Sequence, residues 1–219
     1  MGDFRRFQLK AMGFIAVFIG PVVLFATMVI HGLPFPASIS ETATIANRTS
    51  AILPFALGAL ALFALTYSIV YAYDRLDRTV TAGMFGGFTL VAMQMCRSPY
   101  IDVARVGLLG ISPAASNVLH TIGAVGGFGC MILWVLCCFT KSDREKHLRT
   151  KEKAHRNACY FALGMAMALS LVLFVFNADG LFGEGFPIVF VVECVMLTFG
   201  GVACLLKGGF VLNDKIIPA

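Results

Sequence analysis

Two ionisable side chains, His120 and Glu193, lie inside long apolar stretches of the sequence. Charge is costly in hydrocarbon, so such groups are functional candidates by default. His120 stands about one turn into the apolar run 116–140, and Glu193 about two turns into the run 187–207. At about 1.5 Å per residue, both sit roughly 6–9 Å below the outer ends of their helices and could face each other. An imidazole beside a carboxylate can relay a proton or hold a polar ligand. The same two groups can also simply lock helices together through satisfied hydrogen bonds.

Helical spacing adds neighbours. Asn117, His120 and Thr121 form one polar patch, and Gly123, Gly127 and Trp134 continue near that face. Glu193 shares its face with Gly200 and Cys204. Both groups therefore point along small-residue faces, toward other helices rather than lipid. The outer loops add Glu41, Arg48, Arg97, Asp102, Arg105, Asp179 and Glu184, with His31 at the end of the first run. Outer arginines either pair with loop carboxylates or grip a phosphate or carboxylate with two parallel hydrogen bonds.

Other chemistries find little footing. A catalytic zinc needs three protein ligands and an open position for water. His31, His120 and Glu193 are the one outer set available, without HExxH spacing, and His147 and His155 fall in a basic inner loop. A haem between His31 and His120 would sit shallower than haem ligands in helical bundles normally do. No P-loop or Gly-x-Ser-x-Gly elbow is present. No cofactor and no bound metal are expected. The seven cysteines form no CxxC pair and read as small apolar residues of helix contacts.

The elements that must position these residues are set by composition. Of 219 residues, 58% are hydrophobic and 13% charged, about half the charge of a typical soluble domain; mean hydropathy is +0.85. Six apolar runs stand at 11–31, 51–73, 79–96, 116–140, 157–177 and 187–207. Each holds about 18 to 25 residues, the length a helix needs to cross a bilayer. The expectation is an all-α, polytopic six-helix transmembrane bundle, with residues 1–219 as a single membrane domain. Fourteen of the seventeen basic residues fall on one side of these runs, leaving Arg48, Arg97 and Arg105 on the other. The positive-inside bias therefore predicts both termini in the cytoplasm. The first run exceeds the h-region of a cleavable signal peptide, which predicts a retained helix. The net charge of +5 sits mostly in short loops, which excludes a nucleic-acid groove.

Small residues four apart, Gly83 with Gly87, Gly123 with Gly127 and Gly200 with Cys204, predict close helix contacts. Pro21 predicts a kink in the first helix. The basic loop 141–157 is expected to extend or cap helices at the headgroups and to attract anionic lipid.

A proline-bearing outer segment, Pro36-Ala37-Ser38-Ile39-Ser40-Glu41-Thr42, follows the first helix, and Asn117-Val118-Leu119-His120 opens the fourth. In these features the first 140 or so residues resemble the six-span damage-regulated autophagy modulators (the DRAM/FRAG/SFK type) and their bacterial relatives of unknown function. The resemblance implies a membrane protein of lipid or membrane homeostasis with no established reaction, and carries over Ser38, Ile39, Ser40, Glu41 and His120. The chain is accordingly expected in the plasma or cytoplasmic membrane as a non-enzymatic protein. Its outward-facing pocket, lined by Glu41, Arg48, Arg97, Asn117, His120 and Glu193, would bind a lipid or small amphiphile. The alternatives are a small proton-coupled transporter using His120 and Glu193, and an intramembrane lipid-modifying enzyme. A membrane partner subunit or a second copy of the chain is a further expected partner.

Overall fold

The computed structural model describes residues 2–25, 28–29, 32, 38–44, 51–96, 105–141, 151–176 and 187–210. Among these, six helices form the frame: α1 (Gly2–Phe25), α2 (Ile52–Val70), α3 (Arg75–Met93), α4 (Pro113–Leu133), α5 (Lys151–Val175) and α6 (Ile188–Lys207). A 3-10 turn at Ser40–Thr44 precedes α2, and a π-helical turn at Trp134–Cys138 continues α4. All but α3 are long and apolar enough to cross a membrane. The first turns of α3 carry Arg75, Asp77 and Arg78, which dilutes its apolar character.

Helix ends follow local chemistry. Asp74 is extended and its side chain accepts the Asp77 N–H at 2.9 Å, which starts α3. Ser112 does the same for α4 through the Ala115 N–H, with Pro113 in the first turn, where its missing N–H costs nothing. Two helices run longer than their apolar stretches. α1 begins at Gly2 rather than near residue 11, and Gln8 and Leu9 of its basic N-terminal part are already buried. α5 begins at Lys151, so the second half of the basic loop is helical.

Each helix packs against the next in sequence, and α6 returns to pack against α1, which closes a ring. We call the end holding the start of α1 the N-terminal end, and the opposite one the far end. Of the close seams, the one between α3 and α4 runs where the spacing of small residues placed it. Gly87 lies against Gly123 and Gly127 between α3 and α4, and Gly83 faces the Cys130 sulfur. Gly13 of α1 lies against Gly201 of α6, where a β-carbon on residue 13 would fall 2.8 Å from the Gly201 carbonyl. Inside the ring, Met131, Met167 and Gly200 meet between α4, α5 and α6; flexible thioethers fill such a gap readily.

The outward faces are apolar. Phe55, Leu62 and Ile69 of α2, Val118 and Ile122 of α4, and Phe161 and Leu169 of α5 are all more than half exposed. In water such a continuous surface would aggregate; against lipid tails it carries no penalty. The structure is thus a helical bundle with the surface of a multi-pass membrane protein.

Candidate functional site

At the far end, the segment 38–44 folds into the bundle instead of lying over it: Ile39, Ser40, Glu41, Thr42 and Thr44 are buried. A buried loop must satisfy its own backbone, and its short polar side chains do this. Ser38 Oγ accepts the Glu41 N–H at 3.0 Å, Thr42 Oγ1 donates to the Ile39 carbonyl at 2.6 Å, and Thr44 Oγ1 donates to the Glu41 carbonyl at 2.7 Å. The start of the turn is held by α6. The Ile39 N–H donates to Glu193 Oε2 at 2.6 Å, and the backbone and hydroxyl of Ser40 also hydrogen-bond this carboxylate. Glu193, 5% exposed, is therefore an N-terminal anchor for a 3-10 turn, supplied by a different helix. Glu41 and Glu193 both lie within electrostatic reach of the Cys96 thiol, which hydrogen-bonds with Ser38.

Beside the carboxylate lies a narrow cavity of about 20 Å³, room for about one water molecule. Its walls are Leu53 and Leu57 of α2, Phe88 and Val91 of α3, Ala124 and Phe128 of α4, and Leu197 of α6. Ile39, Ser40 and Glu193 make its remaining edge. Glu193 and Ser40 are the polar residues at the edge of this otherwise apolar cavity.

His120 belongs to a neighbouring knot. Its Nδ1 lies 2.8 Å from the Gln94 carbonyl, an acceptor, so Nδ1 carries the proton. Gln94 is the residue that ends α3, and His120 thereby caps a helix terminus. Ser116 Oγ takes the Met95 N–H at 2.9 Å and sits 3.0 Å from the Met95 carbonyl and 3.3 Å from Gln94 Oε1. The Gln94 amide nitrogen is buried with no hydrogen-bond partner among the described residues. Glu193 and His120 thus stand in separate hydrogen-bonded sets at one end of the bundle. Of the other residues marked by the sequence, Glu41 is buried in the turn and Asn117 is half-buried on α4. Arg48 and Arg97 lie outside the described residues, as does His31. Among the described residues no group of three His, Cys, Asp or Glu side chains is placed to hold a metal ion.

A second polar centre, at the N-terminal end, was not marked by the sequence. Asp77 of α3 is 2% exposed. Its Oδ1 accepts the Trp134 indole N–H at 2.6 Å, and its Oδ2 accepts the Tyr73 N–H at 2.8 Å, with the Tyr67 hydroxyl 3.4 Å away. Arg5 donates to the Tyr67 hydroxyl at 2.7 Å and its guanidinium lies 5.4 Å from the centre of that ring. Four helices, α1 to α4, are tied through this carboxylate. Trp134 opens the π-helical turn, and its ring meets Tyr67 and Phe139 edge-on. No local signal in the sequence joins Trp134 to an acid 57 positions away.

Outside this centre, Lys141 pairs with Asp74. The Asp77 N–H, and after it the Lys141 ammonium, hold the Asp74 carboxyl below the usual range. Lys141 is raised, chiefly by its hydrogen bond with Asp74. The stabilisation is present at neutral pH, is lost as pH falls through the lowered Asp74 value, and is lost again in alkali as pH rises through the raised Lys141 value. Both groups are solvent-accessible, so the effect is small. Asp74→Asn keeps the helix cap and removes the charge; the acid-side decline in melting temperature below about pH 4 should be shallower in this variant. Identical pH profiles for the two proteins would refute the assignment.

No family model matches the chain, and neither a curated protein nor a solved structure matches it.

Proposed function

We propose that the chain is a membrane protein of six spans with both termini on the cytoplasmic side. On this reading it binds a lipid chain or small amphiphile in the far-end cavity without catalysing a reaction. The observation that carries this reading is the seating of Glu193, with Ser40, at the edge of an otherwise apolar cavity. At about 20 Å³ the cavity is a narrow cleft, and a chain would enter only as the apolar side chains around it move apart. The Ser40 hydroxyl and the Glu193 carboxylate would meet the ligand's polar tip while Leu57, Phe88 and Phe128 enclose its tail.

The orientation rests on the basic residues. Arg5, Arg6 and Lys10 of α1, Arg75 and Arg78 of α3, Lys141, Lys153 and Arg156 around α5, and Lys207 of α6 all stand at the N-terminal end, as cytoplasmic residues should. The sixth span is α3, whose charged first turn would lie at the headgroups with Asp77 satisfied inside the bundle. A role in membrane or lipid homeostasis, in a plasma or cytoplasmic membrane, fits both the pocket and the resemblance of the 36–42 and 117–120 segments to the six-span family.

The test is native mass spectrometry of the detergent-purified full-length protein beside its Glu193→Gln variant. The expected result is a copurifying lipid-sized adduct on the wild type, reduced about tenfold in the variant, as for loss of one hydrogen bond to a charged group. An adduct-free wild type, or equal retention by both proteins, would sink the pocket.

A further inference from the structure

Three features of the far-end cavity select the charge and size of what sits in it. The first is the carboxylate of Glu193, 5% exposed and at the cavity edge. Its Oε2 accepts the Ile39 N–H at 2.6 Å, and that donor is neutral. Among the described residues no lysine, arginine or histidine lies within ion-pair distance of it. A negative charge held away from water by neutral donors is costly, and a cation beside it offsets much of that cost.

The second feature is aromatic. Phe88 of α3 and Phe128 of α4 line the same cavity, with ring centres 5.7 Å apart and planes at 79°. The negative faces of such rings attract a cation, and most strongly where water is excluded. The third is size. About 20 Å³ is room for one water molecule, and a primary ammonium group is about as large. A carboxylate or phosphate tip is larger and brings the wrong sign of charge.

We propose that the amphiphile held at the far end is a single-chain primary amine, with its ammonium group in the cavity between Glu193, Phe88 and Phe128. This rests on the reading of the cavity as a ligand site and adds the chemistry of the ligand's tip. The ammonium donates to the Glu193 carboxylate, a charge-assisted hydrogen bond. The Ser40 hydroxyl oxygen, at the same edge, has lone pairs to accept a further N–H. Amines are therefore selected over alcohols of the same chain length, and fatty acids are turned away.

The experiment incubates the full-length protein in non-ionic detergent with tetradecylamine, tetradecanol or myristic acid, and reads bound compound by native mass spectrometry. The expected result is a one-to-one tetradecylamine adduct, retained about tenfold better than tetradecanol, with no retained myristic acid. Glu193→Gln keeps an acceptor for the Ile39 N–H and should hold amine and alcohol alike. Phe128→Leu should lower amine retention several-fold and leave alcohol retention unchanged; this comparison decides should Glu193→Gln fail to fold. Equal retention of amine and alcohol by the wild type, with both lost in Leu57→Trp, would overturn the amine assignment and leave the cavity a ligand site. Retention of none of the three compounds would overturn the ligand site itself, and the assignment with it. Amine retention undiminished in the folded Glu193→Gln and Phe128→Leu proteins would also overturn the assignment, by placing the amine elsewhere on the bundle.

Discussion

Asp77→Ala should be among the most damaging single substitutions at the N-terminal end, lowering stability by about 3–5 kcal/mol. Alanine leaves the Trp134 indole N–H and the Tyr73 N–H without an acceptor, and Trp134 is fully buried. Each orphaned buried donor costs about 1–3 kcal/mol. The Tyr67 hydroxyl also loses a neighbour and keeps only its bond from Arg5. Asp77→Asn should cost less, since one amide oxygen can still accept from Trp134 while the amide nitrogen meets the Tyr73 donor badly. Trp134→Phe should remove part of the same penalty, so the double variant Asp77→Ala, Trp134→Phe should be less damaged than the two single changes summed. Equilibrium unfolding in mixed micelles measures all four. An Asp77→Ala protein within about 0.5 kcal/mol of wild type would show that this carboxylate ties nothing together.

Gly87→Leu should separate α3 from α4. A β-carbon at residue 87 would fall 2.5 Å from the Gly127 Cα and 2.7 Å from the Gly123 carbonyl. The obstruction is backbone, which cannot rotate away as a side chain can. Overpacking commonly costs about 1–3 kcal/mol, and a branched side chain against backbone belongs at or above the top of that range. Gly86, one residue earlier, has nothing within 4 Å of its own β-carbon position. Gly86→Ala should therefore be neutral or stabilising by up to about 1 kcal/mol, through helix propensity alone. Equal effects at 86 and 87 would mean that the α3–α4 seam is not a close backbone contact.

This seam was legible in the sequence because glycines four residues apart can meet only along one helix face, and a close approach is the one use for such a stripe in lipid. Glu193 was legible for the opposite reason, since a carboxylate in an apolar run stands out. Its partner was harder to read. The anchor is the backbone of Ile39 and Ser40 with the Ser40 hydroxyl, a common loop chemistry that was singled out through resemblance alone. The segment 32–50 reads as an outer loop by composition, yet Ile39–Thr42 and Thr44 are buried, because Ser and Thr side chains close hydrogen bonds within the turn. Asp77 went unmarked because Asp74, Arg75, Asp77 and Arg78 together look like an ordinary charged connection. Trp134, 57 positions further along, gives no local sign of reaching back to it. Spacing alone let His120 face Glu193; in the structure its Nδ1 donates to the terminal carbonyl of Gln94 and so caps α3. Helix ends were the least legible, since α1 and α5 extend as amphipathic turns beyond the apolar runs that suggested them.

The central claim is that an apolar chain enters the cavity between α2, α3, α4 and α6 with its polar tip at Glu193. The most direct test is photo-crosslinking of the liposome-reconstituted protein with a single-chain amphiphile carrying a diazirine in its tail. Label should concentrate on peptides holding Leu57, Phe88, Phe128 and Leu197, and should fall several-fold when Leu57→Trp fills the cavity. Label spread evenly over the lipid-facing residues, such as Phe55, Leu62, Phe161 and Leu169, and unaffected by Leu57→Trp, would contradict it.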